Sequence, residues 1–89
     1  MKQIRYISGE NVRLMCIAHN FYTCGDNEEY MRMLAYCDLL RGQGLATLNE
    51  LYYIAADIKM HSSTELSQRQ IVELLIDECC VTIKEESNE

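Results

Sequence analysis

The sequence predicts a small all-α domain: four helices in a bundle-like arrangement behind a short extended N-terminal arm. Three observations carry that prediction. There is no proline, and the four glycines fall at expected element boundaries (Gly9, Gly25, Gly42 and Gly44). Polar residues suited to cap helices stand at Asp26, Thr47 and Ser67, each followed three residues later by Glu or Gln. Between these signals, apolar residues recur at three- and four-residue spacing. With 89 residues the chain holds one core, so residues 1–89 are treated as one domain.

Residues 1–7 form the arm. Alternation of Ile4 with Arg5 and Tyr6 hints at a strand, and a lone strand must pair to be stable. The first helix follows Ser8, a good N-cap, and runs to about His19. Val12, Met15, Cys16 and His19 share one side. Leu14, Ile17, Ala18 and Phe21 widen it into a face expected to be deeply buried. The second helix starts at Asp26, with Glu28 and Glu29 where the helix dipole favours negative charge. Its stripe is Tyr30, Met33, Leu34, Cys37 and Leu40, and Gly42 or Gly44 supplies its stop.

The third helix starts at Thr47 and ends near Lys59 or Met60. Leu48, Leu51, Tyr52, Ala55 and Ile58 form its stripe, and Ile54 broadens it. Residues 61–67 are a polar connection. The last helix is expected from about Gln68 to Lys84. Ile71, Leu74, Leu75 and Cys79 make one stripe there; Val72, Ile76, Cys80 and Ile83 make a second. So broad an apolar surface, with the unpaired arm, predicts a homodimer. Residues 85–89 read as a frayed acidic tail.

Composition narrows function. Fourteen acidic residues against eight basic ones give a formal charge of −6. Phosphate backbones are gripped by clustered Lys and Arg, so direct nucleic-acid binding is disfavoured. Apolar runs such as Leu74-Leu75-Ile76 are short, and none approaches the roughly 20 residues of a membrane span. No long apolar segment follows the basic N-terminus, so no secretory signal is read there and a cytoplasmic location is expected. The five cysteines (Cys16, Cys24, Cys37, Cys79 and Cys80) are then expected to be reduced thiols, several of them packed as small hydrophobes.

No catalytic constellation is visible, and no cofactor is implied. Cys16, His19 and Cys24 have the spacing C-x2-H-x4-C, with Cys16 and His19 expected on one helix face. A zinc site would still need a fourth ligand from Cys37, His61 or the Cys79-Cys80 pair, and there is no CxxC, so buried thiols are the expected reading and no metal is assigned. Cys24 lies near a helix start, where a thiol pKa falls, and is the thiol best placed to react. Gly42-Gln43-Gly44 reads as a helix stop, not a phosphate cradle. Glu28-Glu29 and Glu85-Glu86 are adjacent and so diverge on a helix. The third and fourth helices could mimic a helix-turn-helix, with Gln68, Arg69 and Gln70 as loose candidates for base readers, so a small DNA-binding regulator stands as an alternative function, opposed by the acidic balance and the long connection.

The aromatics are more informative. Tyr36 and Tyr53 lie off the main stripes, as do Met31 and Leu39. Exposed Tyr and Met are typical of partner-binding surfaces, and Met31, Tyr36, Leu39 and Tyr53 are the candidate partner-binding residues. A second reading, a small-molecule or nucleotide binder with a pocket between protomers, would use Arg13, His19, Tyr22 and Arg32.

The segment from Asn11 to Tyr30, with Tyr22-Thr23-Cys24-Gly25 at its centre, and the segment Ile54-Ala55-Ala56-Asp57-Ile58-Lys59-Met60-His61-Ser62 resemble short uncharacterised proteins of gut Firmicutes, their phages and other mobile elements. The resemblance covers about residues 10–63. It carries no catalytic residue. It implies a genomic setting in which small acidic proteins act by binding: blocking a host defence protein, mimicking DNA or sequestering a nucleotide. The expected function is therefore a non-enzymatic protein binder acting on a host or phage protein.

Overall fold

The computed structural model describes residues 5–21 and 28–79. Four α-helices, α1 (Gly9–His19), α2 (Glu28–Gln43), α3 (Leu48–Met60) and α4 (Gln68–Leu74), are followed by a π-helical turn at Leu75–Cys79. Among the described residues there is no strand. The chain is a small all-α, bundle-like domain.

The caps set the boundaries. The Ser8 hydroxyl accepts the Asn11 N–H at 3.2 Å and opens α1. Asn20 closes that helix in the left-handed conformation, with φ 57°. Thr47 and Ser67 open α3 and α4 with complete capping boxes. Glu50 Oε1 and Gln70 Oε1 each accept the cap N–H at 2.8 Å. Gly44 stops α2 just past its end with φ 117°, which an L side chain resists. The start predicted at Asp26 lies outside the described residues, which take up α2 at Glu28.

The four stripes meet in one core. Val12, Met15 and Cys16 come from α1; Tyr30, Met33, Leu34, Cys37 and Leu40 from α2; Leu51, Ile54, Ala55 and Ile58 from α3; and Ile71, Val72, Leu75 and Cys79 from the last segment. α1 packs on α2 and on the π turn, α3 packs on α4, and α2 touches α3 more lightly. Ile7 of the arm is fully buried. The described part of the arm (residues 5–7) thus plugs the core as irregular chain and needs no strand partner; residues 1–4 lie outside the described set.

The wide face expected on α1 is narrower in the structure. Leu14, Ile17 and Ala18 point to solvent, and His19 is exposed too. The packed side of α1 is the arc of Gly9, Val12, Met15 and Cys16, which, among the described residues, faces α2 and the π turn. Leu48 likewise stays exposed at the first turn of α3, before the helix meets the core. Cys80 and Ile83 lie outside the described residues. Within them, the last segment spends Ile71, Val72, Leu75 and Cys79 on the chain's own core, while Leu74 and Ile76 pack half-buried against it. The described part of its apolar surface is thus spent on the chain's own core.

The π turn carries α4 on to Cys79, the last described residue, and Leu75 and Cys79, four residues apart, are both buried. Cys79 Sγ there lies 3.7 Å from Met15 Sδ and 3.5 Å from the Asn11 carbonyl. No helix among the described residues is long and apolar enough to cross a membrane.

Candidate functional site: the cleft between α2 and α3

The light contact between α2 and α3 leaves an open cleft of about 430 Å³. α2 lines it with Glu29, Arg32, Met33 and Tyr36. α3 and its cap supply Tyr53, Ile54, Asp57, Met60 and His61. Met33 and Ile54 are core residues that form its apolar floor. Tyr36 and Tyr53 meet across it edge to face, with ring centroids 5.2 Å apart and planes at 71°. That geometry suits the aromatic quadrupole. Tyr36 is half-buried against the core, whereas Tyr53 and Met60 remain 66% and 74% exposed.

His61 closes one end. Its Nε2 lies 3.1 Å from Glu29 Oε1 and 3.8 Å from Asp57 Oδ1, so the cap of α3 is tied to the first turn of α2. Glu29 suits its place in the first turn of α2, where the helix dipole favours an acid. Arg32 reaches back to Glu28 at 3.8 Å, a fully solvated i,i+4 pair worth little energetically. The Tyr36 hydroxyl has its pKa raised, first by burial and then by the nearby charge of Glu50.

The four candidate partner-binding residues separate into two groups. Tyr36 and Tyr53 meet in the cleft. Met31 and Leu39 lie on the outward face of α2 with Ala35 between them, all three exposed. Tyr36 is less exposed than its off-stripe position predicts, because α3 packs beside it.

The candidate ligand-binding residues do not converge. Arg32 lines the cleft, and Arg13 and His19 do not. His19 instead stacks on Phe21 at 5.3 Å and places Nε2 3.2 Å from Glu78 Oε2, tying α1 to the π turn. Tyr22 lies outside the described residues, as does Cys24.

Among the described residues, the Cys16, Cys37 and Cys79 thiols are buried in the core. Burial pushes the Cys16 thiol up to about 12 and raises that of Cys37 further. Cys37 packs its sulfur 3.8 Å from Met33 Sδ. The C-x2-H-x4-C pattern is thus broken by the structure: Cys16 turns into the core and His19 turns outward to Glu78, so the two do not share a face. Among the described residues no three His, Cys, Asp or Glu side chains gather as a metal site.

The residues set against helix-turn-helix readout are engaged within the chain. Gln68 Nε2 donates to the Tyr52 carbonyl at 2.8 Å, Gln70 completes the capping box, and Arg69 pairs with Glu73 at 3.8 Å.

Sequence reasoning missed Glu29, Asp57, Met60 and His61 as cleft residues. The Asp57–His61 spacing of i,i+4 was a usable signal for a shared helix face. Glu29 could be added only by the packing of α2 on α3. Comparison with protein-family models, curated proteins and solved structures finds no match to this chain.

Proposed function

We propose that this protein is a small non-enzymatic binding protein that holds a partner protein on the α2–α3 surface. The observation that carries the reading is the cleft itself. Two tyrosines and two methionines line an open, largely apolar concavity that also carries polar groups, the composition of a protein-binding hot spot. Met31 and Leu39 extend the apolar surface along α2. The resemblance of residues 10–63 to short proteins of phages and mobile elements supports a host or phage protein as the target, with inhibition of a host defence protein as the consequence.

The test is affinity capture from a Firmicutes host lysate with wild-type protein and with a Met31→Ala/Tyr36→Ala/Tyr53→Ala variant, both checked by circular dichroism. A protein held by the wild type and lost from the folded variant is the expected result. Equal retention by both would sink the reading.

A small-ligand reading has one specific observation in its favour: the cleft volume lies within the roughly 300–1,000 Å³ of small-molecule sites, with Arg32 in its wall to meet an anion. A thermal-shift panel of nucleotides addresses it, since a ligand bound only by the folded state raises the melting temperature.

A further inference from the structure

We propose that Met60 is a modification site: a peroxide oxidises its thioether to the sulfoxide, and the change releases the partner from the cleft. The site of oxidation follows from this chain alone; its consequence rests on the protein-binding reading above.

The sulfur atoms divide into a protected set and an open one. Among the described residues Met15, Cys16, Met33, Cys37 and Cys79 are buried, whereas Met31 and Met60 are 55% and 74% exposed. Met15 and Met33 pack on thiols inside the core, 3.7 Å from Cys79 Sγ and 3.8 Å from Cys37 Sγ. A peroxide must reach a sulfur lone pair, and burial denies that approach. The thiolate is the reactive form of cysteine, and burial holds Cys16 and Cys37 as thiols by raising their pKa. Of these sulfurs, an oxidant therefore meets the thioether of Met60 first and that of Met31 next. Both stand on the surface assigned to the partner, and of the two only Met60 lines the cleft.

The step balances with hydrogen peroxide as the oxidant. A sulfur lone pair attacks one peroxide oxygen and the O–O bond breaks. The second oxygen leaves as hydroxide and takes the proton of the new S–OH, becoming water. Sulfur loses two electrons and the peroxide gains two. The product is polar and chiral where the thioether was flexible and apolar. Met60 is the last residue of α3 and shares the cleft wall with Tyr36, Tyr53 and Ile54. A partner seated on that wall covers the sulfoxide oxygen, and burying a polar atom without a donor weakens binding. The fold is spared, because Met60 belongs to no part of the core.

The test treats the full chain with hydrogen peroxide, quenches it, and then adds dithiothreitol, which returns sulfenic acids and disulfides to thiols and leaves sulfoxides in place. Peptide mapping by mass spectrometry reads each site; Met1, Cys24 and Cys80, outside the described residues, are read on their own peptides. Met60 is expected to oxidise about tenfold or more faster than Met15 and Met33, which react only when the structure opens. In urea the rates should converge. Oxidation at Met60 should move the melting temperature by less than about 4 °C, as expected of a surface change. The oxidised wild type should hold the captured partner about tenfold more weakly. Oxidised Met60→Leu should keep it, oxidised Met31→Leu should lose it, and methionine sulfoxide reductase should restore binding to the wild type. Equal oxidation rates in the folded chain overturn the proposal. So does an oxidised wild type that keeps its partner, or a Met60→Leu protein that loses it on treatment. If Met60→Leu does not hold the partner before treatment, reductase repair of wild type oxidised at Met60 alone decides. If the untreated wild type captures nothing, or its partner does not require Tyr36 and Tyr53, the reading beneath fails and the release step falls with it, while the mapping still decides the oxidation site.

Discussion

Helix α2 meets α1 along one seam and α3 along another, and the two seams are built from opposite kinds of residue. At the α1 seam stands Gly9. A Cβ there would sit 2.7 Å from the Leu34 carbonyl oxygen and 3.0 Å from Asp38 Oδ2. Lacking one, the first turn of α1 comes close enough for its Gly9 N–H to donate to Asp38 Oδ1 at 2.7 Å. At the α3 seam stand Tyr36 and Tyr53, whose rings meet edge to face beside an open cleft. Small residues let backbones approach and leave no room. The bulky aromatics at the other seam stand beside an open surface for something else to fill.

Four measurements would break or sharpen that contrast. The largest effect is expected at the tight seam. Gly9→Val forces its side chain against backbone and disturbs the Asp38 bond, and should destabilise the domain by about 3 kcal/mol, the upper end for overpacking. Urea unfolding measures it; a loss below about 0.5 kcal/mol would mean that the seam relaxes freely.

The second effect comes from the sulfur-lined core between the seams. The Cys16 thiol is raised from 9.0 to about 12 by burial, so the folded state holds its proton more tightly than the unfolded state does. Its contribution is complete below pH 9 and is lost as pH rises from 9 toward 12, on the order of 2 kcal/mol by pH 11. Cys37, raised by the same burial, acts in the same direction. Cys16→Ala should flatten the alkaline decline in stability relative to wild type. An unchanged slope would mean that Cys16 ionises without unfolding.

Third, Thr47→Ala removes the hydroxyl that accepts the Glu50 N–H at the head of α3, and should cost about 1 kcal/mol. Binding by the cleft should survive, because the cap lies outside its lining. Loss of binding in a folded Thr47→Ala protein would show that the start of α3 positions the cleft.

The smallest stability effect belongs to the open seam. Tyr53→Ala should change stability by only about 0.5 kcal/mol, as expected of an exposed position. A loss as large as that of Gly9→Val would make Tyr53 a structural prop instead of a binding group.

Much of the fold was legible in the sequence because its signals are local. Thr47-x-x-Glu50 and Ser67-x-x-Gln70 form capping boxes within four residues, and both appear as read. The stripe of α2, from Tyr30 to Leu40, is buried as its spacing implies. The errors arose where a neighbour decides. Leu14 and Ile17 sit on α1 as apolar as Val12 and Met15, but no described helix covers their side. Cys16 and His19 share a metal-like spacing, yet one faces the core and the other Glu78.

The candidate site was half legible for the same reason. Tyr36, Tyr53 and Arg32 were named from their places on single helices, a property of periodicity. Their meeting with Glu29, Asp57, Met60 and His61 depends on the angle and spacing of α2 and α3. By itself, the sequence determined the helices, their caps and most of the side chains that must be buried, because hydrogen bonding and hydrophobic periodicity act over a few residues. Only the tertiary structure decided which apolar groups stay outside and which side chains from distant positions share a cleft. Those outcomes depend on how closely two helices can approach, and that is set by contacts such as Gly9 on Leu34 and Tyr36 on Tyr53, far apart along the chain.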